Sequence, residues 1–282
     1  MIGRILSFIR FSHTVFALPF ALGSMLVAAR RWPAPDIFLL ILLAMVFART
    51  AAMTFNRLAD WRLDQRNPRT EGRHRLVSRG TACVLLAASS LAFIGTVRFI
   101  NPLCFALSPV ALAIVFFYSL TKRFTSYSHF FLGLALGVSP VGAWLAVTGK
   151  FDFAPMVLAL AVLFWVSGFD LIYATQDYDF DNREGMHSLV VSIGIKRSLA
   201  LAQWLHAAMW ALLIVFGIIS ARGVLYYAGM ALIFPVLIFE HRTAQKMDID
   251  AINRAFFNSN AFVGIVFVAA ITFDKLAAQL SV

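Results

Sequence analysis

Apolar residues run through this chain in unbroken stretches, and charged residues collect between them. The stretches lie at about 13–29, 37–56, 81–98, 102–120, 128–148, 154–176, 198–219, 223–240 and 256–276. A helix needs about 20 apolar residues to cross the hydrocarbon of a bilayer. The pattern therefore predicts an all-α, polytopic membrane protein of about nine transmembrane helices, in a single domain covering 1–282. Membrane β-strands are the other spanning solution, but they are about ten residues long and alternate apolar with polar positions. These runs are longer and do not alternate. Pro33, Pro35, Pro102 and Gly149 sit between runs or at their ends, where breakers belong, while Pro140 and Pro235 lie inside runs and predict kinks. Arg4 and Arg10 precede the first run as in a signal peptide. Without a convincing small-residue cleavage site, and with further spans following, a retained first helix is expected.

Composition agrees with lipid as the solvent. Of 282 residues, 61% are hydrophobic and 13% charged, against roughly 25% charged in a soluble domain. Mean hydropathy is +0.81. The net charge of +10 might point to nucleic acid in a soluble protein; here no nucleic-acid partner is expected, because the charge sorts by side. Nine helices put the N-terminus and the loops between even and odd helices together. That side holds Arg4, Arg10, the cluster from Arg57 to Arg79, Lys122, Arg123, Arg183, Lys196 and Arg197, while the other holds Arg30, Arg31, Arg98, Lys150, Arg222 and Lys275. The positive-inside rule places the first group in the cytoplasm, and the expected location is a bacterial cytoplasmic (inner) membrane. Cys83 and Cys104 lack metal-ligand spacing and read as small apolar residues.

Two long charged segments, 56–79 and 177–197, extend helices that carry polar groups into the membrane. In the first, Asn56, Asp60 and Asp64 are spaced by four, which puts three oxygen ligands on one helical stripe. Alone, the group also fits a solvated helix end with carboxylates paired to Arg57 and Arg62. In the second, Asp170, Tyr173, Asp177 and Asp181 form another stripe. A calcium loop is excluded there, because Asn182 and Ser188 replace the turn glycine and the closing glutamate. Two acidic stripes at one membrane edge suit a shared Mg²⁺–diphosphate site, since Mg²⁺ is commonly held by few carboxylates plus substrate phosphates. Arg57, Arg69, Lys122 and Arg123 are candidate diphosphate contacts; Lys122 and Arg123 alone also fit topology anchors. Arg49, deep in a span, requires an anionic partner, either a carboxylate such as Asp60 or a ligand, or else a wet cavity.

These motifs resemble those of the UbiA family of intramembrane aromatic prenyltransferases. Asn56-x-x-x-Asp60-x-x-x-Asp64 matches its first motif, and Asp177-x-x-x-Asp181, within Asp170-x-x-Tyr173-Ala174-x-x-Asp177-x-x-x-Asp181, its second. Tyr118-x-x-x-Lys122-Arg123 matches the loop after helix 4. Ile9-Arg10-Phe11-Ser12-His13-Thr14 and Ala255-Phe256-Phe257-Asn258 also look familial. The resemblance implies a helical bundle around a central cavity. It implies Mg²⁺–diphosphate bound by Asn56, Asp60, Asp64, Asp177 and Asp181, with Arg69 and Lys122 on the diphosphate and Tyr118 nearby. Arg49 would receive an acceptor's carboxylate, and Asp170 would lie near the reacting carbons, with Tyr173 beside them. Asp60, Asp170 and Asp177 are thus the candidate catalytic carboxylates. Arg73-His74-Arg75-Leu76-Val77 departs from the Arg-Pro-Leu-Pro-like stretch of many relatives.

The implied reaction joins a polyprenyl diphosphate to an aromatic acid. The resemblance is to the 4-hydroxybenzoate branch in ubiquinone synthesis and to relatives of the futalosine route to menaquinone. Two other readings stay open. One is a UbiA-type enzyme with another acceptor, such as dihydroxynaphthoate, haem or a chlorophyllide. The other is an ion-coupled transporter, although transporters tend to place carboxylates near the midplane rather than at helix ends.

Overall fold

The computed structural model describes residues 2–10, 14–67, 70, 72 and 75–280. Among them there is no strand. A short α1 (Ile2–Phe8) precedes nine longer helices: α2 (Thr14–Ala28), α3 (Pro35–Ala59), α5 (Arg79–Arg98), α6 (Pro102–Thr121), α7 (Ser128–Thr148), α8 (Phe153–Ala174), α11 (Ile195–Ile219), α12 (Val224–Ala244) and α13 (Ile249–Leu280). The short helices α4 (Trp61–Asp64), α9 (Tyr178–Arg183) and α10 (Leu189–Ile193) lie in the two charged segments. Eight of the nine are long and apolar enough to cross a membrane, and α2 supplies a shorter apolar stretch. The protein is a multi-pass, all-helical membrane protein. Each expected run finds its helix, but α13 begins at Ile249 rather than 256, because hydropathy cannot see a helix that continues past the apolar run.

Local chemistry sets the helix ends. The side chains of Ser78, Asn101 and Asp152 accept backbone N–H bonds at the starts of α5, α6 and α8, satisfying donors that helix geometry leaves free. Gly149, at φ +67°, ends α7 in the left-handed conformation. Lys275 donates from Nζ to the carbonyls of Leu26 (2.8 Å) and Ala29 (2.5 Å), so a cation caps the C-terminus of α2.

α8 is the centre of the bundle. Its spanning window is 61% buried, against 22% in α3, α5 and α6, so those three present most of their surface to lipid. α8 packs against α7, α11, α2 and α13. Trp165 on α8 meets Phe20 on α2 at 4.9 Å between ring centroids, and Phe20 stacks on Phe267 of α13 at 4.7 Å. Against α7 the approach is closer. A Cβ on Gly133 would collide with the carbonyl of Leu163, and one on Gly137 would come 2.9 Å from the carbonyl of Ala159. Only glycine lets these two backbones meet.

Neither acidic stripe rides on one unbroken helix, contrary to the sequence expectation. α3 stops at Ala59, and Asp60 sits at φ −91°, ψ 10° between α3 and α4. Arg123 donates to the Ala59 carbonyl, taking the acceptor that the next helical turn would use. Likewise α8 stops at Ala174, passes through a tighter 3₁₀ turn at Thr175–Asp177, and resumes as α9. There the Thr175 hydroxyl donates back to the Ile172 carbonyl at 2.7 Å, local competition that disfavours a regular helix.

Candidate active site

One cavity of about 330 Å³ is lined by residues from both interrupted helices. From α3 and α4 come Arg49, Asn56, Arg57, Asp60 and Asp64. From α8 and the turn and helix after it come Asp170, Tyr173, Asp177 and Asp181, and from α6 and its C-cap Tyr118, Ser119 and Lys122. The two charged segments therefore belong to the same end of the bundle.

Opposite charges meet along the wall. Asp60 is buried; its Oδ2 lies 2.6 Å from Lys122 Nζ and accepts from Asn56 Nδ2 at 3.5 Å. Asp60 Oδ1 is buried and accepts no hydrogen bond, with Arg123 at 3.7 Å. Asn56 Nδ2 also donates to Ser119 Oγ at 3.4 Å. Buried Arg57 reaches Asp64 Oδ2 at 3.5 Å and donates from Nε to the Phe8 carbonyl at 3.4 Å. Two contacts tie the halves together: Asn67 Nδ2 donates to Asp177 Oδ1 at 3.3 Å, and Arg66 pairs with Glu184 at 3.3 Å. Tyr173 accepts from Arg10 at 3.4 Å, and its ring packs on Phe256 at 4.6 Å.

Arg49 stands apart from this pairing. Among the described residues it makes one long bond, from Nη2 to the Arg10 carbonyl at 3.4 Å. Its Nε is buried without an acceptor, and among the described residues no carboxylate pairs with it. Asp60, the alternative partner, is taken by Lys122 and Arg123. With Met53, Tyr118, Leu132 and Leu136, Arg49 borders a second cavity of about 410 Å³ as well as the first. The second is walled by residues such as Ile41, Ala44, Phe93, Leu112 and Val115. A charged chamber thus adjoins an apolar one, with Arg49 in the wall of both.

Arg123 does not line the cavity; it donates to the Ala59 carbonyl at the end of α3 and lies 3.7 Å from Asp60 Oδ1. Arg69, and Arg73 and His74 of the divergent stretch, lie outside the described residues, as do Phe11, Ser12 and His13. Two polar residues were missed. Asn67 joins the segments. His129 binds Asp170, with Nδ1 to Oδ2 at 2.6 Å. In the sequence it shares a stripe with Gly133 and Gly137, spaced by four, but nothing in that stripe names its partner.

The donors suit Mg²⁺. They are hard oxygens, and Asp60 Oδ1 is a buried acceptor with no hydrogen-bond donor on it. Among the described residues no three acidic, histidine or cysteine side chains form a ready metal cluster.

Residues 17–266 match the model of the UbiA prenyltransferase family. The chain is 31% identical over 258 residues to a 4-hydroxybenzoate octaprenyltransferase of Nitrosospira multiformis, covering 90% of this chain and 88% of that one. It is 29% identical to the enzyme of that name from Alkalilimnicola ehrlichii, covering 86% and 83%. Among solved structures, it is similar to the apo form of a UbiA homologue from Aeropyrum pernix, with TM-score 0.84, 32% identity and coverage of 93% and 98%. A UbiA homologue from Archaeoglobus fulgidus bound to DMAPP and Mg²⁺ shares the fold, with TM-score 0.71, 20% identity and coverage of 97% and 99%.

Proposed function

The chain belongs to the UbiA prenyltransferase family, and from that premise we propose that it transfers a polyprenyl group from a Mg²⁺-bound polyprenyl diphosphate to an aromatic acid of the 4-hydroxybenzoate type, in a quinone pathway of a bacterial inner membrane. The observation that carries this reading is the pair of adjoining cavities, one charged with both signs and one apolar, with a cation in the wall they share. A diphosphate head fits the first and an isoprenoid tail the second.

Lys122 and Asp60 neutralise each other, as do Arg57 and Asp64. A metal-bound diphosphate offers both signs at once. Asn56, Asp60, Asp64, Asp177 and Asp181 would hold the metal, which would leave Lys122 and Arg57 to meet phosphate oxygens. Bound Mg²⁺ supplies charge neutralisation of the leaving diphosphate. Lys122 and Arg57 stabilise the same developing charge, and do so best in a site that excludes water. Apolar walls keep water from the allylic carbon as its bond to oxygen breaks. Arg49 grips the acceptor's carboxylate at the shared wall, which turns the phenol ring toward that carbon. Asp170 faces the ring. The N-terminus and both charged segments lie on the cytoplasmic side, where both substrates are soluble or lipid-borne.

Mass spectrometry of lipids is the test. Membranes containing the protein are incubated with a polyprenyl diphosphate and candidate aromatic acids, with and without EDTA. A prenylated aromatic acid formed only with metal is expected. Prenylation of dihydroxynaphthoate, haem or a chlorophyllide alone would redirect the acceptor, and no prenylated product with any of them would refute the reading.

A further inference from the structure

His129 has no part in the metal, diphosphate or acceptor contacts described so far, yet it touches Asp170, the carboxylate that the proposed function sets against the acceptor ring. We propose that His129 is a positioning residue for proton removal: its Nδ1–H holds Asp170 Oδ2 so that Asp170 Oδ1 faces the acceptor ring as the base. The proposal deepens the reading as an aromatic prenyltransferase and rests on it.

The hydrogen bond assigns the protons. Asp170 Oδ2 and His129 Nδ1 are 2.6 Å apart. A carboxylate only accepts, so Nδ1 carries the hydrogen. Nε2 is then a bare lone pair, buried with no partner. The Nδ1–H is thereby committed to Asp170, and no second group competes for the ring. Exposure separates the two roles: the His129 side chain is 5% exposed and that of Asp170 28%, and both border the charged cavity. Asp170 is the partner that reaches substrate.

The fold holds the pair rigidly. His129, Gly133 and Gly137 form one stripe of α7, and the two glycines let α7 close onto α8. Ser167, on α8, donates to the His129 carbonyl at 3.2 Å and to the Leu163 carbonyl at 2.7 Å. The imidazole is thus delivered to Asp170 by close backbone contact. A carboxylate inside a spanning helix is expensive without a partner, and the Nδ1–H bond supplies one without neutralising its charge.

The step balances. The ring carbon ortho to the hydroxyl bonds to the first prenyl carbon, whose bond to oxygen breaks with both electrons leaving on the diphosphate. The ring C–H then breaks, and its electron pair restores aromaticity. The proton passes to Asp170 Oδ1, and from there to water or the departing diphosphate at the cavity mouth.

The test compares wild type, His129→Leu and His129→Asn in reconstituted membranes. The acceptor is used in two forms, unlabelled and deuterated at the ring carbon that is prenylated. Leucine removes the donor; asparagine returns an amide N–H near the place of Nδ1. In His129→Leu, kcat should fall about 10- to 100-fold, the scale of a misplaced base. KM for both substrates should change little, and the deuterium effect should rise above that of wild type. His129→Asn should recover most of the rate. A mere folding defect lowers the active fraction but leaves the isotope effect unchanged. A wild-type rate in His129→Leu would overturn the proposal. So would a slow His129→Leu whose isotope effect is unchanged and whose rate His129→Asn does not restore. Wild-type protein that prenylates no aromatic acceptor would instead overturn the function reading, so the two failures are distinct.

Discussion

Replacing Arg49 by alanine should weaken the aromatic acid selectively. The guanidinium has one long bond to the Arg10 carbonyl and a buried Nε with no acceptor. It spends little of its hydrogen-bonding capacity within the protein, and among the described residues no carboxylate competes for it. Its natural partner is an anion that enters beside the shared wall. A hydrogen bond to a charged group is worth about 1.5–3 kcal/mol, so its loss corresponds to roughly a 10- to 150-fold rise in KM for the acid. KM for the prenyl diphosphate should rise much less. Because KM tracks affinity only when chemistry is slow, acceptor binding should also be measured directly, by displacement of a labelled acid. Arg49→Lys keeps the charge but loses the planar fork, so it should fall between wild type and alanine. A phenol lacking the carboxylate should react poorly with wild type and be nearly indifferent to Arg49→Ala. Equal losses on both substrates, in Arg49→Ala and Lys122→Ala alike, would refute this reasoning. The cations would then act as a general field.

Four other outcomes follow from the same geometry. Lys122→Ala should raise KM for the prenyl diphosphate more than for the acid, whereas Arg123→Ala, outside the cavity wall, should cost less activity; steady-state kinetics with each substrate varied will tell them apart. Asp60→Asn or Asp177→Asn should lose most turnover, and EDTA should abolish it in wild type; product formation without metal would remove the carboxylates from the mechanism. Cysteines placed in 57–67 and 178–197 should react with an impermeant thiol reagent from the cytoplasmic side, and one at Lys150 from the other; reversed labelling would overturn the orientation. Gly133→Ala puts a Cβ into the Leu163 carbonyl, and Gly142→Ala meets nothing within 4 Å; overpacking of this kind costs about 1–3 kcal/mol, so only the former should lower thermal stability in detergent.

The long helices were legible because burial in lipid is a property of composition over about 20 residues, and no tertiary detail is needed to read it. Charge sorting around the same helices is equally coarse. His129 was not legible for the opposite reason. A lone histidine has no meaning until Gly133 and Gly137 bring α7 against α8, and that approach is a pairing of distant residues. Arg123, beside Lys122 in sequence, reaches the Ala59 carbonyl and lies 3.7 Å from Asp60 Oδ1, a placement that adjacency in sequence does not give.

The two interruptions carry a further lesson about the acidic motifs. Four-residue spacing placed Asn56, Asp60 and Asp64 together correctly, although they do not share a continuous helix. The reason is that i to i+4 backbone bonds persist across the break: Asp60 N–H donates to the Asn56 carbonyl at 2.9 Å, and Asp64 N–H to the Asp60 carbonyl at 2.8 Å. Side-chain register survives where helical regularity does not. On an unbroken α8, Asp181 would stand about 16 Å beyond Asp170 along the axis, at 1.5 Å per residue, well out into water. Interrupted at Thr175, the same segment lines one cavity from Asp170 to Asp181. Asp170 is held there by His129 at 2.6 Å, and Asp177 by Asn67 of the other charged segment at 3.3 Å. The periodic motif supplies the carboxylates, and the helix break lets carboxylates eleven residues apart share one chamber.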